Sequence, residues 1–117
     1  MQTQMNKTQF YDSFEQAFKL AQMVLLHIDF LIKVSKIKNQ KYEMSEEMYF
    51  CIRKTINEID CVLNKTKGKY FAVLNQVKKV LLLMCRKFEL SKLNNKRFMI
   101  HVDINKLIQS TLKNIIL

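Results

Sequence analysis

The sequence predicts an all-α fold, an antiparallel up-down-up-down four-helix bundle, and three observations carry that expectation. With no Pro and one Gly among 117 residues, the chain holds almost nothing suited to positive φ or to tight hairpin turns. Leu, Lys, Met, Gln and Glu, all favourable helix formers, are plentiful. Apolar residues recur at intervals of three and four along four stretches joined by short polar links, and short links make consecutive helices antiparallel neighbours. Length and apolar content fit one domain, residues 1–117, with a single core.

The first helix is expected over residues 12–36. Asp12 and Glu15 have capping-box spacing, and Phe14, Ala17, Phe18, Ala21, Leu25, Ile28 and Ile32 form its stripe. The second is expected over 45–64, capped by Ser45, with Glu46 and Glu47 at the positive end of the helix dipole and Met48, Ile52, Ile56, Ile59 and Leu63 inward. Gly68 marks its end. A third spans 70–90 through Leu74, Val77, Leu81, Met84 and Phe88. Asn94 and Asn95 break the chain and cap a fourth helix over 95–116, which carries Phe98, Ile100, Ile104, Leu107, Thr111 and Ile115. Met23–Leu26 and Val80–Cys85 are apolar on more than one face, which predicts a second buried face and hence a homo-oligomer.

No apolar run approaches the roughly 20 residues of a membrane span, and the first residues lack an apolar signal core, so a soluble cytoplasmic protein with no membrane association is expected. Cys51, Cys61 and Cys85 are odd in number and unpaired in spacing, which predicts reduced, mostly buried thiols.

Charge divides the chain unevenly. Residues 1–60 hold eight Lys/Arg and eight acids, whereas residues 61–117 hold twelve against Glu89 and Asp103, so the whole formal +10 lies in the second half. Unopposed positive charge on a compact surface costs self-repulsion, and a polyanion relieves it. On the third helix Lys79 and Arg86 are seven apart on the outward side, flanked by Lys78 and Lys87. Lys92, Lys96 and Arg97 follow in the link, and Lys106 and Lys113 repeat the seven-residue spacing on the fourth helix. These nine residues are the candidate nucleic-acid-binding set, for RNA or DNA. Tyr70, Phe71, Phe88 and Phe98 fall at core spacing, so recognition of backbone and shape is expected.

From Lys41 onward the chain resembles the four-helix-bundle family that includes the accessory variability determinant (Avd) of diversity-generating retroelements and the ribosomal RNA intervening-sequence proteins. The resemblance is carried by Lys41-Tyr42-Glu43-Met44 opening the second helix and by Leu81-Leu82-Leu83-Met84-Cys85-Arg86-Lys87-Phe88-Glu89-Leu90. Leu93, Lys96-Arg97-Phe98, Asp103 and Ile108 complete it. The chain departs from the family in lacking a Pro near the end of the first helix and small residues late in the last. The resemblance implies a basic, ring-forming pentamer that binds a reverse transcriptase and its template RNA.

Enzyme signatures are sparse. A HEPN-like ribonuclease toxin has four to six residues between an Arg and a His on one helix, whereas Arg97 and His101 have three between them, a spacing that would put both on one helix face. His27, between Leu26 and Ile28, reads as an interior histidine. Glu46 and Glu47 serve the helix dipole, Asp29 stands alone, and the single glycine makes no phosphate loop, so neither a metal nor a cofactor is expected. The sequence therefore predicts a non-catalytic RNA-binding accessory protein, with the ribonuclease and a helical protein-protein adaptor as alternatives.

Overall fold

In the computed structural model, residues 7–115 are described, with side chains described from residue 14. They form four helices: α1 (Lys7–Ile37), α2 (Glu46–Leu63), α3 (Gly68–Leu93) and α4 (Val102–Ile115). No strand longer than an isolated bridge occurs among these residues. The predicted residue 116 of the last helix lies outside them.

Helix α1 begins at Lys7, so Asp12 and Glu15 lie inside it and do not cap it. Nothing in residues 7–12 opposes a helix, since the stretch contains neither Gly nor Pro. The Ser45 reading holds: its Oγ accepts the Met48 backbone N–H at 3.1 Å, with Glu46 and Glu47 in the first turn.

The other helix ends reassign the turn residues. Asn39 (φ +61) follows α1, where Gln40 N–H bonds the Ser35 carbonyl and Asn39 N–H bonds that of Lys36. Asn95 (φ +54) does the same after α3, with Lys96 N–H to Ser91 and Asn95 N–H to Lys92. Both ends are Schellman motifs with Asn in the left-handed position usually held by Gly. Asn94 and Asn95 thus close α3 and do not open α4.

Gly68 does not terminate α2, which stops at Leu63 and has a carbonyl satisfied by the Thr66 hydroxyl at 2.8 Å. It opens α3 with φ +62, and a Cβ there would meet nothing within 4 Å. Gly68→Ala is therefore expected to cost about 1–2 kcal/mol through backbone conformation alone. Asn95→Gly should be neutral or slightly stabilising. Urea denaturation of the two variants checks this, and an unchanged midpoint for Gly68→Ala would count against the left-handed assignment.

The largest departure from the predicted elements is the start of α4. Residues 96–101 are not helical. Met44 N–H bonds the Phe98 carbonyl at 3.0 Å and Ile100 N–H bonds that of Tyr42 at 2.8 Å, forming an antiparallel bridge between Glu43 and Met99. Phe98 and Ile100 are buried, as predicted, but with the two-residue alternation of extended chain, and Met44 is buried beside them. A short apolar run fits either period, and pairing with residues 42–44 selects the extended one. The shifted start also changes the inward face of α4: Leu107 is exposed, while Ile108 and Leu112 are buried with Ile104, Thr111 and Ile115.

Helix α1 packs on α2 and α4, and α3 packs on the same two. Leu25, Ile28, Ile52, Ile59, Leu74, Leu81, Met84 and Ile108 form the most deeply buried part of the core. Phe14, Phe18 and Ile32 are half-buried against it. Between α2 and α3, Glu46 pairs with Lys92 at 2.8 Å, Tyr49 stacks on Phe88 with centroids 4.8 Å apart, and Asp60 pairs with Lys78 at 2.6 Å. Between α3 and α4, the Asn114 side-chain amide donates to Gln76 Oε1 at 2.9 Å.

The doubly apolar segments have different fates. Val80, Leu81, Met84 and Cys85 are all buried within the chain and Leu82 is half-buried against the core, because α3 contacts both α2 and α4. In α1, Val24 and Leu25 are buried but Met23 and Leu26 remain exposed. The unsatisfied apolar face therefore belongs to α1.

Candidate nucleic-acid interface

The inward stripe of α3 determines where its cations stand. With Leu74, Val77, Leu81, Met84 and Phe88 buried, Lys79 and Arg86 are exposed on the opposite side and Lys87 is exposed beside Arg86. Lys96 projects from the extended link, and Lys106 and Lys113 are exposed on α4. Among the described residues no acid pairs with any of these six.

The other three predicted residues are engaged. Lys78 Nζ lies 2.6 Å from Asp60 Oδ1, with its side chain about a quarter exposed. Lys92 Nζ lies 2.8 Å from Glu46 Oε1 and 5.6 Å from the centroid of the Phe88 ring. The hydrogen bond and charge of Lys92 hold the Glu46 carboxyl below its ordinary pKa. Arg97 Nη1 stands 3.6 Å from Glu43 Oε1, beyond hydrogen-bond length, with its side chain largely exposed. Folding thus brings acids from the neutral half onto the basic half. Charge counted along the chain missed this, because the partners are 18 to 54 residues apart in sequence. The available signal was the α2–α3 pairing itself: once Tyr49 is set against Phe88, Glu46 and Asp60 fall opposite Lys92 and Lys78.

Arg97 and His101 lie in the extended link, and the His101 carbonyl accepts the first α4 bond from Asn105. They do not share a helix face. His27 is exposed, not interior. Tyr70 and Phe71 are exposed rather than core, Tyr70 meeting Phe14 edge-on at 5.1 Å, whereas Phe88 and Phe98 are buried. Cys51 and Cys61 are exposed, and only Cys85 is buried, where desolvation pushes its thiol up to about 11. Among the described residues, no cluster of three His, Cys, Asp or Glu is arranged to hold a metal ion. No described helix is long and apolar enough to cross a membrane.

The arrangement defines an all-helical protein with a partly neutralised basic surface. Comparisons with protein-family models, curated proteins and solved structures gave no match.

Proposed function

We propose that this chain is a basic RNA-binding accessory protein, similar in role to Avd, that holds template RNA for cDNA synthesis by a reverse transcriptase and catalyses nothing itself. The observation that carries the reading is the set of six exposed cations, Lys79, Arg86, Lys87, Lys96, Lys106 and Lys113, left without acid partners among the described residues after folding has neutralised their neighbours. Such a surface binds a phosphate backbone by releasing its counterions.

The bundle is read as antiparallel and up-down-up-down. In support, the contacts Glu46–Lys92, Tyr49–Phe88 and Asp60–Lys78 run in opposite order along α2 and α3. The protein is read as a cytoplasmic homo-oligomer, pentameric by its resemblance to the Avd family. The exposed apolar residues of α1 support assembly.

Purified protein is expected to bind structured RNA, with DNA as a weaker competitor, and to leave the RNA intact. Absence of binding at low salt overturns the reading and favours the helical adaptor. Robust cleavage that vanishes in His101→Ala replaces it with the HEPN-like ribonuclease.

A further inference from the structure

Two unpartnered faces of this chain match each other in shape and charge. The first is a concave groove of about 470 Å³ between α2 and α3, with Tyr49, Phe50, Phe88 and Leu93 along it and Glu46 and Glu89 on its rim. Phe50 is 65% exposed and meets Tyr49 edge-on at 5.5 Å, so the groove presents an aromatic surface that no described residue covers. Its charges are two carboxylates against Lys92; beside it, Glu47 in the adjoining first turn of α2 and Arg53, one turn beyond Tyr49, add one charge of each sign, so the groove as a whole keeps one net negative charge. Net negative charge there disfavours a nucleic acid phosphate and favours a cationic occupant.

The second face is the outer side of α1. Met23, Leu26, Phe30 and Ile37 are exposed at spacings of three, four and seven, so they form one convex apolar stripe, in which Phe30 is 60% exposed. From residue 23 to 37 the exposed charges are Lys33, which pairs with the buried Asp29 at 2.8 Å, and Lys36, which leaves the stripe with a net positive charge. A stripe of apolar side chains edged by lysines is the complement of an aromatic groove edged by carboxylates. Contiguous apolar patches on a soluble surface mark contact sites.

We infer that the groove between α2 and α3 receives the outer α1 stripe of a second copy of this chain, in a head-to-tail contact. The contact uses two different surfaces, so each copy keeps one free groove or stripe for a further neighbour. It rests on the proposed assembly but not on RNA binding. It also relocates the contact from Val80–Cys85, of which Val80, Leu81, Met84 and Cys85 are buried within the chain.

The experiment is light scattering of the full chain at micromolar concentration, alone and as two variants whose helicity is checked by circular dichroism. Phe50→Glu disables the groove and Phe30→Glu the stripe; Phe50→Gln and Phe30→Gln replace either variant that fails to fold. Wild type is expected to be oligomeric and each variant monomeric. An equimolar mixture should form a dimer, because the intact stripe of one variant fits the intact groove of the other. A Phe50→Glu protein that dimerises by itself while Phe30→Glu does not would indicate stripe-to-stripe pairing and overturn the proposal. Wild-type-sized oligomers from both variants would overturn this contact while leaving assembly in place, and a monomeric wild type would overturn both.

Discussion

Phe98→Ala and Ile100→Ala are each expected to destabilise the fold by about 2–5 kcal/mol, whereas Met99→Ala between them should cost under about 1.5 kcal/mol. Phe98 and Ile100 are each only 6% exposed, while Met99 is half-buried. Against a total stability of roughly 5–15 kcal/mol for a domain of this kind, either core loss is a large fraction. The alternation is diagnostic. In a helix, residues 98 and 100 point to nearly opposite sides, and a single core does not bury both. In the extended link, they point to the same side and Met99 to the other. The Met44–Phe98 and Tyr42–Ile100 backbone bonds hold that orientation. Urea denaturation of the three variants measures it, and a Met99→Ala loss equal to that of Ile100→Ala would argue for a helical segment.

The second large effect concerns RNA. Replacing Lys79 and Arg86 together by Gln should reduce the slope of log affinity against log salt by about 1.4 to 1.8, two phosphate contacts' worth. At 0.1 M salt that is roughly a 25- to 60-fold loss of affinity relative to the 1 M limit. Neither side chain enters the core, so thermal stability should stay within about 0.5 kcal/mol of wild type. Lys78→Gln with Lys92→Gln should change the slope much less, because Asp60 and Glu46 already neutralise those cations. Lys19→Gln with Lys33→Gln, on α1, should also do little, since Lys33 Nζ lies 2.8 Å from Asp29. Filter binding across a salt series distinguishes the three pairs. Equal losses from all of them would mean that the positive charge acts diffusely, and the division into paired and free cations would have to be withdrawn.

That division marks the limit of what composition conveys about the site. All nine candidate cations were legible as a set, because α3 and α4 repeat at helical spacing and place Lys79, Arg86, Lys106 and Lys113 away from their apolar stripes. Their availability was not legible, since ion pairing depends on which residues of α2 face α3. Glu46 meets Lys92 across 46 positions of sequence, a distance over which no local pattern operates.

The sequence by itself determined the helical class, the number of helices among the described residues and most of the inward positions. Met48, Ile52, Ile56, Ile59 and Leu63, and then Leu74, Val77, Leu81, Met84 and Phe88, are buried as their periodicity predicts. Helical periodicity and the Ser45 cap are properties of a few consecutive residues, so local chemistry suffices to write them. Only the tertiary structure decided the rest. The paired links at 42–44 and 98–100 turned a predicted helical start into extended chain, and packing of α3 on both α2 and α4 buried Val80, Leu81, Met84 and Cys85 while leaving the outer side of α1 bare. In each case the deciding energy comes from groups distant in sequence. A backbone hydrogen bond or a buried side chain depends on a partner that the fold alone supplies.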